Sequence, residues 1–268
     1  MANEEKKATL VAKKGNNVIF AGVFKGLKSS ETKNGNVANL KMACKYYDKE
    51  EKSEKEEVIT IAFWQSEKGF DPYKHITKKK LKDDQYMLVK GYIDKNDNVI
   101  GNLCLTGSGI MTLQKNPNDP EDKYDANVIL GMAMAPRKNT YQGRDVTNLG
   151  VLTNLKLVDG SYSDGIANVS FWDSDNYAAA TNAKKVIQGG DRIVVTTGEA
   201  GPVEDYVRKN GDPGHSQSFK GNPRFMIIGR KSDDKQQSKQ PVAEPEPVAE
   251  APDDFQPIAE DDLPEWMK

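Results

Sequence analysis

The sequence contains an internal repeat, and this repeat restricts the possible folds more than any other feature. Residues 61–66, IAFWQS, return at 169–174 as VSFWDS, so the two Phe-Trp pairs are 108 positions apart. Other identical residues pair at spacings of 109 to 107: Gly22 with Gly131, Val37 with Val146, Asn39 with Asn148, Leu40 with Leu149, Asp84 with Asp191, and Gly91 with Gly198. A spacing that changes so little predicts two tandem domains of one fold, related by duplication.

Each half of the repeat is built from short runs of Val, Ile, Thr, Tyr and Phe, separated by Gly, Asn and Asp, which is typical of small all-β domains. In the first half we predict strands near 16–28, 36–47, 57–65, 85–94 and 99–113, with a helical segment within 66–83. In the second half we predict strands near 125–135, 144–158, 165–173, 191–200 and 218–230, with a helix within 177–190. Five strands with a helix between the third and fourth are the plan of the OB-fold, a small Greek-key barrel. The strand count alone also fits other five-stranded barrels.

The composition changes after Arg230, where large apolar residues become rare and Lys, Gln, Pro, Glu and Asp dominate. Such a segment cannot bury enough apolar surface to offset its chain entropy. We therefore predict an all-β protein with two tandem OB-fold barrels and a disordered acidic C-terminal tail. The predicted boundaries are an N-terminal segment 1–15, a first OB-fold 16–114, a linker 115–124, a second OB-fold 125–230 and a tail 231–268.

The small formal net charge of −2 conceals an uneven distribution of charge. Residues 241–268 carry nine acidic residues and one lysine, which leaves 37 Lys and Arg against 31 Asp and Glu, or +6, in residues 1–240. A mildly basic body is compatible with a polyanionic partner. An ordinary solvated surface would explain the charge equally well.

Residue usage predicts a cytoplasmic protein without a metal centre or cofactor. Cys44 and Cys104 cannot form a disulfide framework, and with His75 and His215 they lack the spacing of a zinc site. No Walker-type phosphate loop is present, and neither histidine lies in a catalytic motif. The first ten residues, MANEEKKATL, lack the apolar core of a signal peptide, and no window has the roughly 18 to 20 apolar residues of a membrane span. We therefore expect a non-enzymatic protein.

Strand alternation divides each Phe-Trp pair between two faces. Phe63 shares its face with Ile59 and Ile61, so we expect it in a barrel core, whereas Trp64 ends the more polar face; Phe171 and Trp172 divide in the same way. The alternative is that the tryptophans pack beneath a loop or at a subunit contact. OB-folds present this face to single-stranded nucleic acids, whose bases stack on aromatic rings.

Aromatic and basic residues near these strands complete the predicted site. The predicted stacking residues are Trp64, Trp172, Tyr46, Tyr47, Tyr92 and Tyr141. The predicted phosphate-binding residues are Lys41, Lys45, Arg137, Lys138, Arg144, Arg208 and Lys209; the last two belong to a long hairpin over 199–220. The run 78–80, three lysines, fits either a phosphate contact or a solvated surface.

The two halves resemble bacterial and phage single-stranded DNA-binding proteins. NNVIFAGVF (16–24), NGNVANLKMAC (34–44) and VITIAFWQ (58–65) are similar to that family's first three strands, and DDQYMLVKGYI (83–93) and NLCLTGSGIMTL (102–113) to its fourth and fifth. The second half retains VTNL (146–149), VSFWDS and GGDRIVVTTG (189–198). In the first half Val58 stands where the family has a stacking aromatic, so Trp64 would carry more of the binding. Two domains in one chain resemble the subgroup that forms homodimers, which implies a dimer.

The tail ends in EDDLPEWMK, which is similar to the acidic tip with which this family binds replication and repair proteins. The resemblance implies a partner-binding tip of Asp261, Asp262, Leu263, Pro264 and Trp266. Met267 and Lys268 follow the aromatic residue here, whereas the family's aromatic is C-terminal, and this difference leaves the partner open.

The resemblance implies a protein that coats single-stranded DNA with little sequence preference during replication, recombination or repair. Single-stranded RNA is an alternative target, since stacking does not depend on the 2′-hydroxyl. A protein-binding or oligosaccharide-binding OB-fold would explain the aromatic residues but not the basic body and acidic tip together. A nuclease would need clustered carboxylates around metals or a histidine base.

Overall fold

The computed structural model describes residues 10–48 and 51–230, which form two β-sheets and two short helices. The first sheet contains β1 (Leu10–Lys14), β2 (Asn17–Thr32), β3 (Gly35–Asp48), β4 (Ser53–Trp64), β5 (Tyr86–Ile93) and β6 (Val99–Thr106). The second contains β7 (Gly109–Leu113), β8 (Ala126–Ala133), β9 (Arg137–Tyr141), β10 (Arg144–Lys156), β11 (Tyr162–Ser174), β12 (Tyr177–Ala178), β13 (Arg192–Thr197), β14 (Ala200–Val207), β15 (Pro213–Phe219) and β16 (Arg224–Gly229). The prediction of an all-β fold is confirmed.

The first sheet closes into a five-stranded barrel. Its strands follow the order β2-β3-β4-β6-β5, and β5 pairs again with β2. The long β2 makes closure possible, because Asn17–Val23 pairs with β5 and Val23–Thr32 with β3. Only β4 and β6 of this ring run parallel, with Ile61 opposite Val99. This is the strand arrangement of the OB-fold.

The second sheet follows a corresponding order, with its last strand interrupted. The hydrogen-bonded path runs β14-β15-β11-β10-β8-β13-β16. Strand β15 lies parallel to β11, as β6 does to β4, and β16 pairs antiparallel with β13. The strand predicted over 218–230 is therefore shared between β15 and β16, which four residues separate.

Two glycines show that the repeat extends to local packing. A Cβ on Gly22 would lie 2.3 Å from the carbonyl oxygen of Ala43, and a Cβ on Gly131 would lie 2.3 Å from that of Leu152. In both halves the first barrel strand therefore approaches the second too closely for any side chain. The repeated glycine is explained by this contact.

Both predicted helices are present but short. Helix α1 (Pro72–Thr77) begins with Pro at its first position, where a missing N–H costs nothing, and the Asp71 carboxylate accepts a hydrogen bond from the Lys74 N–H at 3.0 Å. Helix α2 (Ala179–Val186) buries three alanines, Ala179, Ala180 and Ala183, against the second sheet. Of the helices in the described part of the chain, neither is long and apolar enough to cross a membrane.

Three apolar clusters hold the structure together. One fills the first barrel and includes Phe20, Met42 and Phe63, and a second lies between the second sheet and α2 around Phe171. The third cluster joins the two sheets and includes Ile19, Ala21, Leu88, Met111, Leu113, Val128, Leu130, Val194 and Ile228. The two halves therefore share buried surface.

Besides the interrupted last strand, the structure differs from the predicted strands at several other places. The single strand expected over 99–113 turns at Gly107, whose φ is +83°, and its second part, β7, pairs with β8 of the second sheet. Strand β1 lies in the predicted N-terminal segment and pairs with β2. Strand β9 forms an additional hairpin with β10. The domain boundaries stay a prediction.

Candidate nucleic-acid interface

The first Phe-Trp pair is divided between core and surface, as strand alternation predicts. Phe63 is fully buried, and Gly101 leaves room for it, since a Cβ there would lie 2.4 Å from the ring. Trp64, the last residue of β4, is half-buried and points to the face opposite that of Phe63. Its cross-strand partner on β3 is Val37. We call this outer face of β2, β3 and β4 the first face.

Trp64 and Tyr92 line one open cleft of about 330 Å³ at the end of the first face. The cleft also contains Phe70, which is 56% exposed, and Ile100. The sequence predicted Tyr92 near the face that carries Trp64, and in the structure both side chains line this cleft. Sequence reasoning missed Phe70, which lies in the loop before α1, because no periodic pattern marks a loop residue. Three aromatic side chains at one cleft can offer planar surfaces to an unpaired base.

The hairpin register determines which lysines share the first face with Trp64. Lys28 of β2 lies opposite Asn39 of β3, which in turn lies opposite Ala62 of β4. This cross-strand row is two residues along the strands from the row formed by Val37 and Trp64. Lys41 lies opposite Thr60, four residues before Trp64 on β4, or roughly 13 Å along the strand. Lys28 was not predicted. Its position follows from the register of the β2–β3 hairpin, in which the turn residues Lys33 and Asn34 separate Thr32 from its partner Gly35.

The far end of the β3–β4 hairpin has a different character from the Trp64 end. Lys45 lies directly opposite Glu56, and Glu54 and Glu57 are on the same strand. Lys55 forms ion pairs with Asp48 at 3.0 Å and with Glu51, and the hydrogen bond to Glu51 is the main cause that raises its pKa. Carboxylates at this end would repel phosphates, so Lys45 lies in a poor position for the predicted contact.

Tyr46 does not share the first face with Trp64. It is in phase with Leu40, Met42 and Cys44, whose side chains fill the barrel, and successive strand residues alternate between faces. Its neighbour Tyr47 has the phase of the first face, but its side chain lies outside what the structure describes.

The predicted tip residues Asp261, Asp262, Leu263, Pro264 and Trp266 also lie outside the described residues.

The second Phe-Trp pair repeats the division. Phe171 is buried in edge-to-face contact with Phe225, at 5.6 Å between ring centroids. Trp172 is 42% exposed and contacts Tyr141 edge to face, at 6.2 Å between ring centroids. Tyr141 lies opposite Arg144 on the β9–β10 hairpin. The structure therefore brings three predicted residues together on the outer face of β9, β10 and β11, which we call the second face.

Arg137 and Lys138 are neighbours in sequence but lie on opposite faces of β9. Arg137 of β9 lies opposite Asn148 of β10, which in turn lies opposite Ser170 of β11. This cross-strand row is two residues along the strands from the row formed by Val146 and Trp172. Lys138 lies in the alternate phase and forms an ion pair with Asp145 at 2.6 Å; the hydrogen bond to Asp145 raises its pKa. The structure places Arg137 on the second face and does not place Lys138 there.

The predicted hairpin residues Arg208 and Lys209 lie far from Trp172. They begin the turn between β14 and β15, and β15 runs parallel to β11 with Ser216 opposite Ile166. The turn is therefore beside the start of β11, whereas Trp172 is near its end, more than roughly 20 Å away at 3.3 Å per residue. Arg208 and Lys209 are exposed but do not join the cluster at Trp172.

Asp173 anchors helix α2 directly beside Trp172. Its carboxylate accepts hydrogen bonds from the backbone N–H groups of Ala180 at 2.6 Å and Thr181 at 3.2 Å, and from the Thr181 hydroxyl at 2.7 Å. The Thr181 hydroxyl is the main cause that lowers the pKa of Asp173. The motif Phe-Trp-Asp thus supplies a core residue, a surface ring and a helix cap at three consecutive positions.

The histidines and cysteines form no reactive cluster. His75 lies within hydrogen-bond distance of the Cys104 backbone, and burial is the main cause that lowers its pKa. His215 pairs with Asp205 at 2.7 Å on the β14–β15 hairpin. Both thiols are buried, and burial raises the pKa of each to about 12. Within residues 10–48 and 51–230, no three His, Cys, Asp or Glu side chains are grouped so that they could hold a metal ion.

The two faces have the same plan. Lys28, Asn39 and Trp64 occupy the same positions on the first face as Arg137, Asn148 and Trp172 on the second, at spacings of 109, 109 and 108. Each face therefore combines an indole ring with a cation and additional aromatic residues. Such a surface can stack planar groups and attract phosphates.

Comparisons with known proteins give structural matches only. No protein-family model and no curated protein matches the chain. A deletion mutant of the single-stranded DNA-binding protein from Thermus aquaticus is similar at 14% identity and a TM-score of 0.26, over 79% of this chain and 93% of that one. A small single-stranded DNA-binding protein from Streptomyces coelicolor is similar at 18% identity and a TM-score of 0.24, over 38% of this chain and 92% of that one. With identities and scores this low, the function has to be argued from the residues of this chain.

Proposed function

We propose that this protein binds and coats single-stranded DNA, largely without sequence preference, through the first and second faces. The observation that carries the proposal is the position of the two tryptophans. Trp64 is the last residue of β4, and Trp172 lies two residues before the end of the equivalent strand β11. Both lie on equivalent outer faces, and the neighbouring cross-strand row on each face contains a basic residue. A purely structural tryptophan would not need a cation on the same face.

Stacking and phosphate neutralisation would share the binding free energy. A base stacked on an aromatic ring contributes about 1–3 kcal/mol, and every base has a face that can stack. Lys28 and Lys41 on the first face, and Arg137 and Arg144 on the second, can neutralise phosphates and release counterions. Both terms are nearly independent of base identity, which supports a coating role.

The acidic end of the β3–β4 hairpin helps to define the path of the strand. Glu54, Glu56 and Glu57 lie at least seven residues before Trp64 on β4, whereas Lys28 lies in the cross-strand row of Asn39 and Ala62, which is only two residues from Trp64 along β4. We therefore propose that the nucleic acid crosses the sheet near the tryptophan instead of following the hairpin to its end. Lys45 and the hairpin turn at Arg208 and Lys209 then contribute less than the cations beside Trp64 and Trp172.

Quenching of tryptophan fluorescence by oligo-dT tests the proposal. Because Trp266 also emits, the titration should be performed with Trp266→Phe as the reference protein. Trp64→Ala and Trp172→Ala should each weaken binding by about 1–3 kcal/mol for every lost stacking contact, which is about fivefold or more. If the double variant, followed by fluorescence anisotropy of a labelled oligonucleotide, retains full affinity, stacking on these rings is not the mechanism.

Competition between DNA and RNA decides the type of nucleic acid. Poly-dT and poly-U should be titrated against a bound labelled oligo-dT at one salt concentration. We expect poly-dT to compete better. Equal or better competition by poly-U would reassign the protein to single-stranded RNA.

We further propose that the acidic tip, with Asp261, Asp262, Leu263, Pro264 and Trp266, recruits replication, recombination or repair proteins in the cytoplasm. Its support is the sequence: two carboxylates beside Leu, Pro and Trp offer a partner both charge and apolar surface. A 1–240 truncation should bind oligo-dT as tightly as the full chain or more tightly, because nine acidic residues are removed. Loss of DNA binding in the truncation would contradict this division of roles.

We propose a homodimer without catalytic activity. A dimer would place four aromatic faces on one particle and so extend the length of strand that can be coated. Sedimentation equilibrium of the full chain tests this, and a mass of 29.7 kDa at all protein concentrations would identify a monomer.

The absence of nuclease activity is tested by incubation with oligo-dT and Mg²⁺, which should leave the oligonucleotide intact.

A further inference from the structure

The interface contains a repeated residue to which the proposed function gives no role. Asn39 and Asn148 lie at the centre of the first and second faces, between the cation and the tryptophan in each case. Asn148 is exposed and Asn39 is half-buried. Asparagine is disfavoured in strands, so a strand-centre asparagine at the same place in both halves is unexpected from folding alone.

The register gives the spacing of these residues. Asn148 lies opposite Ser170, and Trp172 is two residues further along β11, so Asn148 and Trp172 are diagonal neighbours about 7–8 Å apart. Arg137 lies directly opposite Asn148 on its other side. A base stacked on the indole would extend toward the asparagine, and its phosphate toward the cation.

Ser170 determines what Asn148 can offer to a ligand. The Ser170 hydroxyl donates a hydrogen bond to the Asn148 Oδ1 atom at 2.7 Å. With the oxygen engaged in this way, the Nδ2 group, which has two N–H donors, is the part of the amide directed to other partners. In the first half the corresponding residue is Ala62, so Asn39 has no hydroxyl across from it to fix its amide.

We infer that Asn39 and Asn148 are base-contacting residues, whose side-chain N–H groups donate hydrogen bonds to acceptor atoms at the edge of the base that stacks on Trp64 or Trp172. Each face then holds one nucleotide by three adjacent contacts: ring to base plane, amide to base edge, and cation to phosphate. This inference rests on the proposed function, since it assigns a residue within the same interface. Pyrimidine carbonyl oxygens are suitable acceptors, and thymine in oligo-dT is the probe.

The test compares oligo-dT with a strand of equal length that carries abasic sites in place of bases, using the full chain. Asn39→Ala/Asn148→Ala should weaken binding to oligo-dT about threefold to tenfold for each lost hydrogen bond, and should leave binding to the abasic strand unchanged. The dependence of log K on log salt should also stay unchanged, because no cation is removed. Equal losses on both strands, or no loss on oligo-dT, would overturn the inference.

Three further variants make the result specific. Asn154→Ala is the matched control, because Asn154 lies on the same strand and face as Asn148 but six residues away, opposite Asp164; it should bind both strands like the wild type. Ser170→Ala should weaken binding to oligo-dT less than Asn148→Ala, because it releases the amide without removing it. If the double alanine variant does not fold, Asn39→Thr/Asn148→Thr replaces it, since threonine favours strands and is too short to reach the base.

The two proposals fail in different ways. If the wild-type chain binds neither strand, the proposed function is wrong. If it binds oligo-dT and the asparagine variants bind equally well, only the base contact is wrong.

Discussion

Adjacent residues in this chain have separate physical roles, and the repeated Phe-Trp pair is the clearest case. Phe63 and Phe171 are buried in two different clusters, while Trp64 and Trp172 lie on the outer faces. Alternation along a strand produces the division without any further signal. Stability and binding should therefore separate at neighbouring positions.

Substitution at the second pair tests this separation. Phe171→Ala should lower the free energy of unfolding by about 3–5 kcal/mol, because it opens a cavity in the core and removes the contact with Phe225. Trp172→Ala should lower it far less, while weakening oligo-dT binding. Urea denaturation followed by circular dichroism measures the first effect, and anisotropy titration the second. A Trp172 variant as unstable as the Phe171 variant would show that the tryptophan is mainly a folding residue.

Asp173 gives a residue-scale prediction about pH. Its folded-state pKa is depressed by the Thr181 hydroxyl and the backbone N–H groups of α2, so the ionised carboxylate stabilises the fold. This stabilisation is fully present above the unfolded pKa of about 3.9 and is lost as pH falls through the lower folded value. Asp173→Ala should cost about 1 kcal/mol at pH 7, or roughly 2–4 °C in Tm.

The thermal melts of Asp173→Ala and the wild type should converge as the solution is acidified. Asp175→Ala is a suitable control, since Asp175 lies two residues further along and is exposed. A difference in Tm that is independent of pH would mean that the carboxylate does not act through its charge.

Strand register decides which cations can contact a ligand. Arg137 and Lys138 are consecutive in β9, yet only Arg137 lies on the second face, while Lys138 pairs with Asp145. Both residues carry one positive charge, and both are about equally far from Trp172 in the sequence. The difference comes from the alternation of β9 and from its pairing with β10.

A matched pair of substitutions tests this difference. Arg137→Gln should weaken binding to oligo-dT and reduce the slope of log K against log salt by about 0.7, the value for one phosphate contact on a single strand. Lys138→Gln should leave the slope unchanged, because its charge is engaged by Asp145 on the other side of the strand. Titrations at four salt concentrations provide the slopes. Equal slopes for the two variants would remove Arg137 from the interface.

The sequence predicted the regular elements well because they follow from local patterns. Alternation and the 107- to 109-residue spacing placed the barrel strands and put Trp64, Tyr92, Trp172, Tyr141, Arg137 and Arg144 at or near one face in each half. The sequence did not predict the face of a side chain correctly where that face depends on how two strands pair. Tyr46 was assigned by proximity without regard to its phase, and Lys28 was missed because its position on the first face follows only from the register of the β2–β3 hairpin.

Loop residues and interruptions of strands were less predictable, because they also depend on contacts distant in the sequence. Phe70 lies in an irregular segment, where no periodicity indicates direction. The division of 99–113 into β6 and β7 depends on a turn at Gly107 and on the partner that β7 finds in the other sheet. Long-range pairing of this kind leaves no local pattern in the sequence.

At the scale of the whole molecule, the third cluster makes the two sheets interdependent. Ile19 and Leu88 from the first sheet, and Leu130, Val194 and Ile228 from the second, are buried together, and β7 continues the chain from one sheet into the other. Removing either half would expose this apolar surface to water. We therefore expect the described part of the chain to unfold as one cooperative unit.

Leu130→Ala tests the interdependence, because Leu130 is fully buried in the third cluster. The substitution should lower the free energy of unfolding by about 2–5 kcal/mol, as for other buried leucines. Two single-tryptophan backgrounds report on the halves separately: Trp172→Phe/Trp266→Phe leaves Trp64, and Trp64→Phe/Trp266→Phe leaves Trp172. In urea, both reporters should shift to lower denaturant by the same amount, and Val58→Ala, at a residue that is 54% exposed, should shift neither. A shift confined to the Trp172 reporter would mean that the sheets fold independently, and the two faces would then hold a strand as separate modules instead of as one rigid interface.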